Sequence, residues 1–435
     1  MCGVFFWGTA GDAVGLSPHR SSIKTWTSFF RFLSPLNQII MTKEIDQAIE
    51  DIVKQFECNK EFLTSAVEEF TKSMDAGLSA SSGSREFMPM IPTFVTAIPT
   101  GKESGLYLAA DLGGTNFRVC SINLDGNHSF KLQQLKLPIP LDLMKDLTAD
   151  ELFSYLAKKV KEFLEEYHQD LEGHAKLGFT FSFPVDQTAL DSGKLIRWTK
   201  GFNLPDCVGK DVVQLLQLHI DKLNVKVKVA ALANDTVGTL LARAYSNDKK
   251  ATRANTVVGA IFGTGTNGAY LETLDKIKKL DSLKFPAGAK KMVINTEWGS
   301  FDNTLKILHN TKYDEIIDKE TLNVGFHLFE KRISGMFLGE LVRVILMDLF
   351  ERGLIFTELF KRRGGSLPHR LAEPWELNSE VLSYLQIDDS TDLKMSGLIM
   401  ENALRLPTTI QERRVIQKIT QTVAARAGRL TAVPI

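Results

Sequence analysis

A chain of 435 residues is long enough for two or three domains with a large core. Its 52 basic and 52 acidic residues cancel, so no charge excess indicates nucleic acid or a membrane surface as a partner. The most apolar run, residues 338–350, is interrupted by charged residues, so it predicts a core helix and not a membrane span. The four cysteines, at positions 2, 58, 120 and 207, are far apart and do not have the spacing of metal ligands. These properties predict a cytoplasmic enzyme with reduced thiols.

Residues 1–40 differ in composition from the rest of the chain. They are aromatic and rich in serine and threonine, and Asp12 is their only acid. An organelle transit peptide would have such a composition. However, an amphipathic helix with Thr42 as its N-cap is predicted to open at Met41. We therefore expect Met41 to be the natural start, and residues 1–40 to be an artefact of gene prediction.

Two amphipathic helices are predicted before the first strand. The second is expected to end at Gly77. A polar loop over residues 79–85 and a rigid connector over 88–92 then lead to the sheet. The apolar face of the first helix is formed by Ile45, Ala48, Ile49, Ile52, Val53 and Phe56, and that of the second by Phe62, Leu63, Val67, Phe70 and Met74.

Residues 106–124 predict a β-hairpin. An apolar run over 106–110, expected to be buried on both faces, and an alternating run over 117–124 flank the turn Asp-Leu-Gly-Gly-Thr-Asn at 111–116. A dinucleotide-binding or Walker A loop would lead into a helix, whereas this turn leads into a strand. Two adjacent glycines allow the backbone to approach an anion closely. A plain hairpin turn is the alternative.

The same arrangement occurs a second time, where strands at 257–262 and 268–272 flank Gly-Thr-Gly-Thr-Asn. Two such hairpins predict two related α/β halves, each of which presents one turn to the same polyphosphate. Between and after the hairpins, the patterns predict strands at 176–184, 194–200 and 225–233, helices at 150–167, 208–220, 235–245, 338–349 and 409–432, and a surface loop at 362–370.

Polar side chains occur where ligands bind in open α/β sheets. Asn234 and Asp235 end an apolar strand and begin a helix, although a plain N-cap would have the same sequence. Ser182, Thr199 and Lys200 lie in aromatic segments, as do Glu297 and Glu330, which alone would simply be exposed. Carboxylates and amides in number suit a polyol, and a single aspartate can accept the proton of an attacking hydroxyl.

Seven segments resemble the hexokinase family of sugar kinases, and within it the fungal glucokinases. The resemblance extends from about residue 41 to the end of the chain. The segments are Leu-Ala-Ala-Asp-Leu-Gly-Gly-Thr-Asn-Phe-Arg (108–118), Leu-Gly-Phe-Thr-Phe-Ser-Phe-Pro-Val-Asp-Gln-Thr (177–188), Leu-Ile-Arg-Trp-Thr-Lys-Gly-Phe (195–202), Asn-Asp-Thr-Val-Gly-Thr (234–239), Phe-Gly-Thr-Gly-Thr-Asn-Gly (262–268), Glu-Trp-Gly-Ser-Phe-Asp (297–302) and Gly-Phe-His-Leu-Phe-Glu-Lys-Arg-Ile-Ser-Gly-Met-Phe-Leu-Gly-Glu (325–340).

The resemblance implies roles for individual residues. Asp235 would take the proton from the sugar 6-hydroxyl, and Lys200 would reach the transferring phosphoryl group. The implied glucose-binding residues are Ser182, Phe183, Thr199, Lys200, Asn234, Asp235, Asn267, Glu297 and Glu330. The implied ATP-binding residues are Asp111, Leu112, Gly113, Gly114, Thr115, Asn116 and Arg118 at the first turn, Gly263, Thr264 and Gly265 at the second, and Gly335, Met336 and Thr391 along the nucleotide.

The resemblance also implies the actin-like, ribonuclease H-like α/β fold, with a sugar and ATP cleft between a small and a large domain. Residues 106–233 would form the small domain, and 41–105 with 234–435 the large one. Mg²⁺ would be held mainly by ATP phosphate oxygens and water, without a metal site made by the protein. Because water competes with the sugar as nucleophile, we expect sugar to close the cleft before transfer.

Two features depart from the family. The extension before Met41 has no counterpart, and family members continue beyond residue 435 with a Gly-rich segment against the adenosine and a terminal helix. We therefore expect an uncovered apolar face on helix 409–432, weak ATP binding, and a form that is poorly stable or inactive.

Three functions remain open at this point. The first is phosphorylation of glucose, with mannose or other hexoses as alternative substrates. The second is a catalytically weak sugar-sensing regulator, and the third is an actin-like ATPase or filament subunit that shares the two hairpins. Sugar-stimulated ATP consumption distinguishes the first from the others. Hexose selectivity and oligomeric state do not follow from the sequence.

Overall fold

The computed structural model describes residues 35–80, 84–114, 116–171, 173–198, 201–247, 255–280 and 288–435, with side chains from residue 43 onward. Residue contacts divide the chain into two units. The sheet unit contains the described parts of Thr71–Ile261 and Thr266–Asn303. The helical unit contains the described residues up to Phe70, together with Phe262–Gly265 and Thr304–Ile435. The domain boundaries expected from the sequence stay a prediction.

A five-stranded mixed sheet forms the first layer of the sheet unit, in the order β4-β3-β2-β5-β8. Strands β2, β3 and β4 pair antiparallel, whereas β2, β5 and β8 are parallel. Helices α4 and α5 bury their apolar faces in the same core as these strands. The bounds are β2 Ser104–Leu112, β3 Asn116–Asp125, β4 Phe130–Pro138, α3 Leu141–Lys145, α4 Ala149–Tyr167, β5 Ala175–Phe181, β6 Val185–Ala189, β7 Ser192–Leu195, α5 Val212–Lys222 and β8 Val227–Ala233.

A four-stranded sheet in the order β1-β11-β10-β9 follows, and helix α6 packs against it. The contact uses a small apolar core of Val237 and Leu240 from α6 with Ala269 and Val293 from the strands. The bounds are β1 Ile91–Pro92, α6 Asp235–Ser246, β9 Val258–Phe262, β10 Thr266–Thr273 and β11 Lys291–Asn295. Both predicted hairpins are confirmed, since β2 pairs with β3 and β9 with β10.

The helical unit packs around α9, which has seven buried apolar side chains in its core: Phe337, Leu341, Val342, Val344, Ile345, Leu346 and Leu349. In this core α14 contacts α1, α9 and α12, and α12 also contacts α9. No described helix of the chain is long and apolar enough to cross a bilayer. The bounds are α1 Pro35–Phe56, α2 Lys60–Ser79, α7 Lys312–Lys319, α8 Glu330–Ile333, α9 Gly335–Glu351, α10 Thr357–Arg362, α11 His369–Ala372, α12 Ser379–Ile387, α13 Lys394–Leu404 and α14 Ile410–Thr431.

The ends of the first two helices differ from the prediction. Helix α1 begins at Pro35, a residue suited to a first helical turn, so Thr42 lies inside the helix and is not its N-cap. Helix α2 continues to Ser79, so Gly77 does not end it. A Cβ at Gly77 would lie 2.1 Å from the carbonyl oxygen of Met88, which shows that the glycine permits a close backbone approach. Val67 is 44% exposed and not part of the inner face.

Several strand and loop predictions also need correction. Leu106 and Tyr107 are exposed, and the buried part of β2 begins at Leu108. The strand predicted at 194–200 is β7 and ends at Leu195, and the connector at 88–92 contains the short strand β1. The loop at 362–370 is short, because α10 and α11 enter it from both sides.

The expectation of an uncovered apolar face on the last helix is wrong. Helix α14 has a complete N-cap, in which the Thr409 hydroxyl accepts from the backbone N–H of Glu412 while the Glu412 carboxylate accepts from Thr409. Its inner face is buried within the helical unit, and this face consists of Val415, Ile416, Ile419, Thr420, Val423, Arg426, Ala427 and Leu430.

Candidate functional site

Asn234 and Asp235 stand at the junction of β8 and α6, as the sequence predicts. Asn234 is the N-cap, and its Oδ1 accepts from the backbone N–H of Thr236 at 3.0 Å and from the Thr236 hydroxyl at 2.7 Å. Asp235 begins the helix and is partly buried, with its Oδ1 also accepting from Thr236 N–H at 3.0 Å. The helix dipole stabilises a carboxylate at this position.

Asn267, Asn295 and Glu297 join Asn234 in a hydrogen-bonded group, called here the amide–carboxylate cluster. Asn267 Nδ2 lies 3.1 Å from Asn234 Oδ1, 2.7 Å from Asn295 Oδ1 and 3.1 Å from Glu297 Oε1. Asn295 Nδ2 donates to Glu297 Oε1 at 2.9 Å. The structure thus brings together three of the predicted sugar residues, and it adds Asn295, which the sequence analysis did not select.

Glu297 is held in a backbone conformation that non-glycine residues seldom adopt. Its φ is 52°, in the left-handed region, and it is followed by a single 3₁₀ turn over Trp298–Ser300. Burial lowers the pKa of the Arg197 guanidinium, and the Glu297 carboxylate opposes this shift. Arg197 therefore lies within electrostatic reach of the cluster, although sequence reasoning gave it no role.

Trp298 packs against the strand segment that contains Asn267. Its indole nitrogen donates to Thr266 Oγ1 at 2.8 Å, and Thr266 Oγ1 donates to the carbonyl of Ile261 at 3.1 Å. A Cβ at Gly268 would lie 2.1 Å from a carbon of the indole ring. Glycine at 268 is thus required by the close approach of Trp298, and it places the backbone N–H of Gly268 2.7 Å from Asn267 Oδ1.

Ser182 and Phe183 follow strand β5, in an aromatic setting. The Ser182 side chain belongs to a residue only 5% exposed, and its backbone N–H donates to the carbonyl of Leu112 at 3.2 Å. Phe183 packs edge-on against Trp198 and Phe202, which stack on each other. This packing places Ser182 beside the strand that ends at the first Gly-rich turn.

The first predicted phosphate turn closes the β2–β3 hairpin. Gly113 N–H donates to the carbonyl of Asn116 at 3.0 Å, and Leu112 is fully buried, so only its backbone can face a ligand. Arg118 Nη1 pairs with Asp111 Oδ2 at 2.8 Å. Gly114 belongs to the same turn, and Thr115 lies outside the described residues.

The second turn, Gly263–Gly265, belongs to the helical unit and contacts the start of α9. Gly335 N–H donates to the carbonyl of Gly263 at 2.7 Å, and Met336 N–H donates to that of Thr264 at 3.2 Å. The Thr264 side chain is exposed, as is 47% of Met336. The structure thus places the predicted residues Gly335 and Met336 directly against the predicted turn.

Glu330 and Thr391 also belong to the helical unit. A Cβ at Gly265 would lie 2.7 Å from Glu330 Oε2, so the glycine leaves room for the carboxylate. His327 Nδ1 lies 3.8 Å from the other oxygen, Glu330 Oε1. Thr391 is exposed, in the turn before α13. Two further predicted residues, Thr199 and Lys200, lie outside the described residues.

The described residues contain no group of three or more histidine, cysteine, aspartate or glutamate side chains that could hold a metal ion. Among the described cysteines, Cys58, Cys120 and Cys207 are free thiols. Burial is the main cause that raises the pKa of Cys120 to about 11 and that of Cys207 to about 12. Neither thiol is therefore a reactive nucleophile at neutral pH.

Comparison with known proteins gives consistent matches over most of the chain. Two hexokinase family models match residues 48–245 and 257–435. Glucokinase-1 of Saccharomyces cerevisiae is 48% identical over 418 residues, which are 90% of this chain and 83% of that protein. The glucokinase of Aspergillus niger is 44% identical over 418 residues, covering 90% of this chain and 82% of that protein. The structure of a hexokinase from Schistosoma mansoni complexed with glucose matches with a TM-score of 0.80 and 35% identity, covering 91% of this chain and 85% of that one.

Proposed function

Because the chain belongs to the hexokinase family and is similar to fungal glucokinases, we propose that it transfers the γ-phosphoryl group of ATP to the 6-hydroxyl of glucose. Its fold is the two-domain actin-like ATPase fold of that family. The observation that supports the activity most directly is the amide–carboxylate cluster beside Asp235. Amides and carboxylates held in fixed orientation suit sugar hydroxyls, each of which both donates and accepts.

Asp235 acts as the general base. Its carboxylate stands at the N-terminus of α6 and accepts the proton of the sugar 6-hydroxyl as that oxygen attacks the γ-phosphorus. Its Oδ1 is oriented by Thr236 N–H, and Thr236 is fully buried, so the carboxylate starts from a fixed position. Ser182, Phe183, Thr199, Lys200, Asn234, Asn267, Glu297 and Glu330 hold the sugar.

The two Gly-rich turns bind the phosphates of ATP. At both turns glycines leave the backbone accessible to an anion. Thr264 is exposed and can donate its hydroxyl, and Lys200 neutralises charge on the transferring phosphoryl group. Gly335, Met336 and Thr391 lie along the nucleotide. Mg²⁺ would be held mainly by the ATP phosphate oxygens and water, and when bound it would neutralise charge on those oxygens.

We further propose the cytoplasm as the site of action and residues 106–233 as the small domain. The free thiols Cys58, Cys120 and Cys207 support a reducing compartment. Mannose and other hexoses are candidate further substrates. The presence of Asp235 favours catalysis over a purely sugar-sensing role, since sugar binding alone requires no base at the attacking hydroxyl.

The test is glucose-dependent formation of ADP and of glucose 6-phosphate from ATP and Mg²⁺, each measured with its own coupled assay. We expect equal amounts of both products, and ATP consumption that depends on sugar. ATP hydrolysis independent of sugar would support an actin-like ATPase, and glucose binding without turnover would support a regulator. The KM for ATP in the same assay tests the expectation of weak nucleotide binding.

A further inference from the structure

Asn295 carries no predicted role, yet it lies at the centre of the amide–carboxylate cluster. The side chain is buried, with only 4% of the residue exposed. It accepts from Asn267 Nδ2 at 2.7 Å and donates to Glu297 Oε1 at 2.9 Å. A side chain at this position must therefore accept on one side and donate on the other, which an amide does and an ionised carboxylate or an alkyl group does not.

The direction of these hydrogen bonds is determined by the backbone. A backbone N–H can only donate, so the N–H of Gly268 identifies the nearby side-chain atom of Asn267 as the oxygen. Asn267 then presents Nδ2 to Asn295, and Asn295 in turn presents its own Nδ2 to the carboxylate. These hydrogen bonds form a chain, called here the relay, in which each group donates to the next. It leads from the N–H of Gly268 through the amides of Asn267 and Asn295 to the carboxylate of Glu297.

The relay ends on a residue whose backbone is held in the left-handed region. Glu297 Oε1 receives N–H donors from both Asn267 and Asn295. Charge-assisted hydrogen bonds of this kind are stronger than neutral ones and set the orientation of the carboxylate. Without Asn295, Asn267 loses its shortest acceptor contact and Glu297 loses an N–H donor, so both sugar-binding groups are oriented less firmly.

We propose that Asn295 is the positioning residue that orients Asn267 and Glu297 for the sugar, and thereby sets the affinity and hydroxyl selectivity of the site. The inference rests on the proposed function, because it assigns those two residues to the sugar. Asn295 acts through its neighbours and not on the reacting atoms. Its loss therefore weakens sugar binding more than it weakens nucleotide binding.

The experiment compares the full-length protein with Asn295→Ala and Asn295→Asp. Asn295→Asp keeps the shape and the acceptor but replaces the donor with a negative charge beside Glu297. We expect both variants to weaken glucose binding, measured by calorimetry without ATP, by roughly 10- to 100-fold, as the loss of hydrogen bonds to a charged group predicts. The KM for ATP should stay within about twofold of wild type, since the relay does not reach the nucleotide residues.

Gln187→Leu is the matched control. Gln187 is also a buried amide, 8% exposed, and its Nε2 lies within hydrogen-bond distance of three carbonyls, those of Thr93, Ala189 and Leu232. Its removal should lower the melting temperature without a comparable change in glucose affinity. If Gln187→Leu and the Asn295 variants weaken glucose binding by the same factor, the role of Asn295 is structural only and the inference fails.

Monodeoxyglucoses provide a second readout. In wild type, the analogue that lacks the hydroxyl held by Glu297 should bind much more weakly than glucose, because a polar group of the site is left unpaired. In Asn295→Ala this difference should shrink for the analogues that lack a hydroxyl held by Glu297 or by Asn267, and for no other analogue. Equal weakening for glucose and all analogues overturns the inference. Absence of glucose-dependent phosphorylation in wild type would instead overturn the proposed function itself.

Discussion

Arg426 and Asp314 form a buried ion pair with two parallel hydrogen bonds, Nη1 to Oδ2 at 2.8 Å and Nη2 to Oδ1 at 2.7 Å. The side chains are 1% and 3% exposed. Asp314 also accepts from the backbone N–H and the hydroxyl of Thr311 at the start of α7. The guanidinium lies 4.2 Å from the ring centre of Phe56 on α1. One residue of α14 thus joins three helices of the helical unit.

This ion pair predicts a large effect of Arg426→Met on stability. Burial alone would raise the pKa of Asp314, but Arg426, Arg332 and the hydrogen bonds outweigh it and hold the pKa well below its ordinary value. The variant leaves an ionised carboxylate buried without its main partner, so the free energy of unfolding should fall by about 3–5 kcal/mol. Urea denaturation measures this change.

Arg429→Met is the control for that experiment, because Arg429 is exposed on the same helix. Its substitution should change the free energy of unfolding by less than about 0.5 kcal/mol. A loss of similar size in both variants would mean that removal of any positive charge from α14, and not the loss of the buried ion pair, lowers the stability of the unit.

Asp235→Asn should separate catalysis from sugar binding. The amide keeps the shape at the start of α6 but accepts no proton, so kcat should fall by about 10²- to 10⁴-fold. Glucose affinity should change much less, and the melting temperature should stay near that of wild type. Steady-state kinetics and calorimetry measure both quantities. Asp221→Asn, at an exposed position of α5, serves as the control, and turnover by Asp235→Asn near the wild-type rate would exclude the assigned role.

Gly268 and Gly238 provide a matched pair of glycines in the sheet unit. A Cβ at Gly268 would meet the ring of Trp298 at 2.1 Å, whereas a Cβ at Gly238 on α6 would meet nothing within 4 Å. Gly268→Ala should destabilise the protein by about 1–3 kcal/mol through overpacking and should raise the KM for glucose, because Glu297 precedes the displaced tryptophan. Gly238→Ala should stabilise it by about 0.5–1 kcal/mol, since alanine favours helix. Thermal unfolding of both variants should show shifts of opposite sign.

Lys279 predicts a pH dependence of stability. Its Nζ donates to the carbonyls of Pro89 at 2.7 Å and Met90 at 3.2 Å. Burial lowers the pKa of Lys279 to about 8, with Asp186 opposing the shift. Below pH 8 both folded and unfolded states are protonated at this position. Between that pH and about 10.4 the unfolded state binds more protons, so stability rises with pH relative to a chain without the lysine.

The free energy of unfolding of wild type should therefore increase relative to that of Lys279→Met by on the order of 1–3 kcal/mol as the pH rises through this range. Urea denaturation at a series of pH values measures the difference. Lys278→Met replaces an exposed neighbour, and its free energy of unfolding should change with pH in parallel with that of wild type. Parallel curves for Lys279→Met as well would show that the buried amine keeps an ordinary pKa.

Local sequence determined much of the architecture. Both hairpins and the start of α6 at Asp235 were predictable, because each depends on residues a few positions apart whose backbone preferences agree. Helix ends were less predictable. Glycine is a residue type that commonly ends helices, but Gly77 lies inside α2. A glycine is needed there because the backbone of Met88 approaches it closely.

The tertiary structure alone decided the contacts between distant parts of the chain. Asn234, Asn267 and Asn295 are separated along the sequence by 33 and 28 positions, and no periodicity marks Asn295 as the link between them. The same holds for Arg426 and Asp314, which are 112 positions apart. Hydrogen-bond direction and burial depend on which atoms folding brings within about 3 Å, and local preferences carry no information on that distance. The sequence by itself therefore determined the residue types that a sugar and a nucleotide require, and folding decided which of their neighbours orient them.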